Sequence, residues 1–170
     1  MIRSRTLMPV LLIVLFTALL SSGCETVLGG KPASLAPAPG FKVKLLTGEE
    51  VTLDQFRAGR PMVLNVGATY CPHCIHELQT FKKVYARYKD RAAVLMVFEK
   101  SSEDDARTLV VKHDITFPIA NDPDGVVGKA YGVSGMPETF FIDKDGRLVD
   151  DYFGAIEEGE LSDKVENLLK

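Results

Sequence analysis

Cys71-Pro72-His73-Cys74 stands where an apolar run of strand length, residues 61–66, gives way to a helical pattern that continues to about Lys89. No other feature narrows the fold as much. A buried strand ending on a helix start belongs to a layered α/β unit, and the rest of the chain keeps the alternation. Residues 43–46 and 51–53 read as short strands around Thr47-Gly48-Glu49, followed by a brief helical turn at 54–57. Residues 93–98 read as a second buried strand. Ser102, with Asp105 three positions on, opens a helix to about Lys112. A short strand at 117–120 and a short helix at 126–131 come next. Residues 139–142 and 147–153 alternate around Asp143-Lys144-Asp145-Gly146 as a hairpin. An amphipathic helix at 157–169 closes the chain. Strands alternating with helices argue a parallel-containing sheet covered on both faces, and the hairpin adds antiparallel strands. The expected fold is an α/β sandwich of three layers around a mixed central sheet.

The position of the two cysteines gives them their chemistry. Free N–H groups and the positive end of the helix dipole stabilise a thiolate at Cys71. Pro72 takes the first helical position, where its missing N–H had no partner anyway. Cys74, one turn on, can attack a mixed disulfide on Cys71 and release the partner. Cys71 is therefore the candidate nucleophile and Cys74 the candidate resolving thiol. At about 100° per residue, Cys74, Leu78, Phe81, Val84, Tyr85 and Tyr88 share one face, with His76, Lys83 and Arg87 opposite.

Glu77 falls inside the apolar arc near Cys74. A carboxyl held there has a raised pKa and can exchange protons with Cys74, unless it reaches out to a neighbouring Lys. His73, between the cysteines, either stabilises the Cys71 thiolate or is an inert exposed side chain. His76 reads as surface, and His113 as a solvated helix end. A second constellation, Gly135-Met136-Pro137-Glu138-Thr139, precedes a strand, and an X-Pro bond there is a candidate for cis geometry.

The chain has 170 residues, enough for one domain and too few for two comfortable ones. Its first 23 residues read as a leader. Arg3 and Arg5 begin it, an apolar stretch at 9–20 is too short to span a bilayer, and small residues follow. Leu20-Ser21-Ser22-Gly23-Cys24 resembles the bacterial lipobox, which implies cleavage before Cys24 and lipidation of its sulfur, with ordinary secretion as the alternative. Two or more acyl chains would hold the protein at a membrane. Residues 24–40, rich in Pro, Ala and Gly, then read as the lipidated cysteine and a tether reaching about 20–25 Å as a coil. The domain proper is expected at 41–170. Once Cys24 is assigned to lipid, Cys71 and Cys74 are the only pair. Their loop is too small for a useful structural staple, so they read as a reactive couple in an oxidising compartment. A formal net charge of -3 points to no nucleic-acid partner.

Around these motifs the chain resembles the thioredoxin-like superfamily, in particular its membrane-tethered TlpA/ResA/CcmG group. The resemblance rests on Leu64-Asn65-Val66-Gly67-Ala68-Thr69-Tyr70-Cys71-Pro72-His73-Cys74, on Ile115-Thr116-Phe117-Pro118-Ile119 and on the stretch from Tyr131 to Asp143. It implies a thioredoxin-like fold, a cis Pro137 against the cysteines, and a Met136 backbone that pairs with an extended substrate strand. Tyr70 and Pro72 join Met136 and Pro137 as expected substrate contacts. Glu77 matches the group's acidic residue after the second cysteine, and Asn65 falls where thioredoxin has a buried Asp. Two departures stand out: Tyr70 replaces the usual Trp, and a His-containing dipeptide is more typical of the oxidant DsbA.

The implied activity is extracytoplasmic thiol–disulfide exchange without a cofactor beyond the Cys71/Cys74 couple. Its partners would be protein thiols and disulfides, with a membrane redox donor or acceptor, and the protein itself a monomer. A disulfide reductase, acting on apocytochrome c among others, leads; a thiol oxidant or isomerase is the alternative. A Cys/His metal module is a third reading, but the motifs are explained without a metal. A peroxidase is disfavoured because Thr69 lies two residues before Cys71, where peroxiredoxins carry Thr three before.

Overall fold

The computed structural model describes residues 36–170, so the expected leader, Cys24 and most of the tether lie outside the described residues. The elements run β1 (Lys42–Leu45), β2 (Glu50–Thr52), α1 (Leu53–Arg57), β3 (Met62–Gly67), α2 (Pro72–His76), α3 (Leu78–Tyr88) and β4 (Ala93–Glu99). They continue α4 (Glu103–Lys112), β5 (Ile119–Asp122), α5 (Val126–Tyr131), β6 (Glu138–Ile142), β7 (Leu148–Phe153) and α6 (Glu158–Leu168). The strands form one sheet in the order β2-β1-β5-β4-β3-β6-β7. β3, β4 and β5 are parallel neighbours, and β1, β2, β6 and β7 join antiparallel. The sheet is mixed, as the hairpin signal requires.

β3 and β4 are buried at every residue, and the two-residue period of a strand divides them between two cores. Val63, Val94, Met96, Phe98 and Phe141 face one layer, where Leu78, Phe81 and Val84 of α3 and Leu161 and Val165 of α6 cover them. Met62, Leu64, Val66, Leu95, Val97 and Phe140 face the other, beneath Leu53, Val127 and Tyr131. This is the expected three-layer α/β sandwich.

Three local features differ from the spacing alone. The helix predicted from Pro72 to about Lys89 breaks at Glu77 (φ −80°, ψ −4°), where the side chain turns into the core. The strand predicted at 117–120 starts at Ile119, in register with Met96; Pro118 has no N–H to give and instead accepts from Met96 through its carbonyl. Ala36–Ala38, expected in the tether, are already fastened to the hairpin. Ala38 N–H donates to Gly146 O (2.9 Å), and Leu148 N–H donates to Ala36 O (3.0 Å). By contrast the Ser102 cap forms as its spacing predicts, its hydroxyl accepting from Asp105 N–H.

α5 crosses the sheet closely enough that Gly128 has no room for a side chain: a Cβ there would overlap Glu99 Oε2. Gly128→Ala is expected to destabilise the protein by about 1–3 kcal/mol in urea unfolding. Glu99→Ala in the same chain should recover part of that loss.

Candidate active site

β3 delivers the reactive loop from a fully buried position. After Gly67, the chain crosses Ala68-Thr69-Tyr70 and enters α2 at Cys71, its N-cap residue. The loop is held from the neighbouring strand: Thr69 N–H donates to Ser101 Oγ (3.0 Å), and that hydroxyl donates to Glu99 O (2.9 Å). Pro72 fills the first turn. The Cys71 sulfur accepts from Cys74 N–H at 3.2 Å, so a helix-start donor points at it.

Cys71 and Cys74 lie at disulfide-bonding distance with Cα atoms 5.3 Å apart. Cys74 is fully buried and Cys71 partly exposed. Only the first sulfur is therefore accessible to a large partner. Gly67 makes the inner position possible, because a Cβ on it would come within 3.1 Å of Cys74 Sγ. Nothing in the CxxC spacing announces that requirement.

Opposite Cys71, the Met136–Pro137 peptide bond is cis, and Met136 O lies 3.7 Å from Cys71 Sγ. Pro137 is buried, and its carbonyl accepts from Gly154 N–H at 2.8 Å, tying this loop to the end of β7. Pro72, His73 and Tyr70 are exposed around the couple. His76 lies on the solvent side of α2. His113 differs from a solvated cap: its ring is half-buried, with Nε2 enclosed and unpaired.

Glu77 is 1% exposed and reaches inward. Its Oε1 accepts from Asn65 Nδ2 (2.8 Å) and its Oε2 from Ile156 N–H (3.2 Å). Burial pushes its pKa up to about 7, against the lowering effect of those two hydrogen bonds. Asn65 holds this carboxyl through its side-chain amide. Its amide also donates to Thr139 Oγ1 (3.0 Å), while its Oδ1 is unpaired and shares with Cys74 Sγ the space beside Gly67. Neither partnership had a signal in the sequence, since Thr139 reaches Asn65 only through sheet pairing and the Ile156 backbone reaches Glu77 only from a distant loop. Among the described residues, no group of three or more His, Cys, Asp or Glu is arranged to hold a metal ion.

An accessible sulfur at a helix start, a buried sulfur one turn deeper and a cis X-Pro facing them define a thioredoxin-fold thiol–disulfide oxidoreductase. The chain belongs to the AhpC/TSA family, which matches residues 35–150. It is 31% identical over 134 residues to the thiol–disulfide oxidoreductase ResA of Bacillus thuringiensis, covering 78% of this chain and 75% of that one. It is 32% identical over 132 residues to the thioredoxin-like protein YneN of Bacillus subtilis, covering 76% of each. Among solved structures, a putative thiol:disulfide interchange protein DsbE from Chlorobium tepidum superposes with a TM-score of 0.75 at 26% identity, over 82% of this chain and all of that one.

The Glu77 environment has a thermodynamic signature. Its folded pKa of about 7 lies above the ordinary 4.5, so the protonated form favours folding. That contribution is complete below about pH 4.5 and is lost as pH rises through about 7, amounting to about 3 kcal/mol. Urea unfolding of the oxidised protein, in which neither cysteine titrates, should show this decline. Glu77→Gln should flatten it.

Proposed function

We propose that this oxidoreductase works as a reductant of protein disulfides on the extracytoplasmic side of a bacterial membrane. The observation that carries the direction of electron flow is the buried Glu77 carboxyl on the Cys74 side of the couple. With a pKa near 7 it is partly ionised at neutral pH, and a negative charge in an enclosed site disfavours a thiolate beside it. A destabilised thiolate makes the dithiol readier to give up its electrons. During turnover, Glu77 accepts or returns the Cys74 proton. Cys71 attacks the substrate disulfide, and Cys74 resolves the mixed disulfide. Met136, Pro137, Tyr70 and Pro72 contact the substrate around the exposed sulfur.

The lipobox-like run ending at Cys24 supports a lipid anchor, and the following Pro/Ala/Gly-rich segment supports a tether that lets a monomeric domain sample partners near the membrane. Among the described residues, no helix is long and apolar enough to cross a membrane. A membrane donor would re-reduce the couple, and the cysteine disulfide of oxidised apocytochrome c, reduced to thiols before haem attachment, is the proposed substrate class. His73 favours a second reading, a thiol oxidant or isomerase, because an imidazole beside Cys71 stabilises its thiolate.

The reduction potential separates the two. The reductant reading predicts a value closer to about −270 mV than to the roughly −120 mV of a strong oxidant. A value near the latter overturns it. A Cys74→Ser variant should accumulate mixed disulfides with protein partners on Cys71, identifiable by mass spectrometry, while Cys71→Ser should trap none.

A further inference from the structure

The turn that presents Cys71 is gripped from outside by a buried side chain with no part in the exchange chemistry. Ala68 to Cys71 form a tight turn, closed by Cys71 N–H donating to Ala68 O (3.1 Å). Inside it, Thr69 donates its own N–H to Ser101 Oγ (3.0 Å). Ser101 is 6% exposed, and its hydroxyl carries a single hydrogen. That hydrogen goes to Glu99 O (2.9 Å), so the lone pairs of the oxygen are left to face Thr69. A bend in the backbone makes this possible. Lys100, between Glu99 and Ser101, adopts φ +50°, an uncommon conformation for a residue with a Cβ. Its N–H donates to Asp122 O (3.0 Å) at the end of β5, which holds the bend in place. The left-handed residue after β4 therefore directs the Ser101 hydroxyl at the reactive loop.

We propose that Ser101 is a positioning residue for the exchange reaction: its hydroxyl fixes Thr69 so that Cys71 stays at the start of α2, where its sulfur receives a backbone N–H. The proposal rests on thiol–disulfide exchange at Cys71 and not on the direction of electron flow. Thr69 stands two residues before Cys71, whose sulfur accepts from Cys74 N–H at 3.2 Å and faces Met136 O at 3.7 Å. With Ala at position 101, Thr69 N–H loses its acceptor. An N–H without a partner in a part-buried turn is costly, so the turn shifts toward water. Cys71 moves with it, and its sulfur loses alignment with the Cys74 N–H. A thiolate there is then less stabilised, and less of it is ionised at neutral pH. Cys74 is placed otherwise, fully buried and against Gly67, so the effect falls on the attacking sulfur. A small displacement suffices, because attack demands close alignment of the reacting atoms.

The test uses the pre-reduced full chain and iodoacetamide, with mass spectrometry locating the label on Cys71. The readout is alkylation rate against pH, at a temperature where circular dichroism shows each variant folded. Ser101→Ala should move the midpoint upward by about one pH unit, a loss of about 10-fold in rate at pH 7. Ser101→Thr keeps the hydroxyl and should restore most of that rate. Thr69→Pro removes the N–H from the other side, at the second position of a turn, which suits proline, and should match Ser101→Ala. The double variant should be no slower than either single one, because both changes delete the same hydrogen bond. The proposal is overturned if Ser101→Ala keeps the wild-type midpoint, or if the two losses multiply. It is equally overturned if folded Ser101→Thr is as slow as Ser101→Ala, since packing and not the hydroxyl would then set the loop. If Ser101→Ala does not fold, a wild-type midpoint in Thr69→Pro overturns it alone. A wild-type midpoint at the ordinary value of about 8.5 would instead remove the stabilised Cys71 thiolate itself, and this proposal with it.

Discussion

β3 is enclosed on both faces and hydrogen-bonded on both edges, and every reactive group is placed relative to it. Its parallel partner β4 carries the Glu99–Ser101 turn that holds Thr69. Its antiparallel partner β6 follows directly on the cis Met136–Pro137 bond that faces Cys71. Because a strand in mid-sheet cannot slide without exposing one core and unpairing two neighbours, the loop leaving Gly67 has little freedom. The two sulfurs inherit that rigidity, with Cys71 outward at the helix start and Cys74 inward against Gly67.

Two opposing fields meet at this couple. The start of α2 supplies an N–H to the outer sulfur and favours its thiolate. Behind the inner sulfur, the Asn65–Glu77–Ile156 hydrogen bonds hold a carboxyl in the core, where any negative charge is poorly solvated. In the proposed mechanism the outer sulfur attacks, while charge on Glu77 restrains ionisation of the inner one. The break in the helix at Glu77 belongs to the same arrangement, since it falls where the side chain turns inward to those partners. Asn65 is the joint between the two halves. It spends both amide hydrogens on Glu77 and Thr139 and leaves its carbonyl unpaired beside Cys74.

The surface around the couple is as uneven as its interior. Tyr70, next to Cys71 in the chain, and Phe153, whose ring lies against Gly135, expose aromatic area, whereas Phe81, Phe98, Phe140 and Phe141 are enclosed in the two cores.

Much of this was legible in the chain before folding. The apolar strand-length runs at 61–66 and 93–98, the Ser102 cap and the Asp143–Gly146 turn point to a layered α/β fold, because each is a pattern carried by neighbouring residues. CxxC at a strand–helix junction likewise announces its own chemistry, and the wheel puts Glu77 on the inner face. Tertiary structure decided what depends on residues far apart. Glu77 finds Ile156 79 positions away, Asn65 finds Thr139 74 positions away, and Phe153 rests on Gly135 across β6. Strand 117–120 shifted to Ile119 because register with β4, not local propensity, sets where pairing begins. Helix and strand patterns are written in neighbouring residues, whereas the polarity of a site is set by whichever distant groups the sheet order brings beside it.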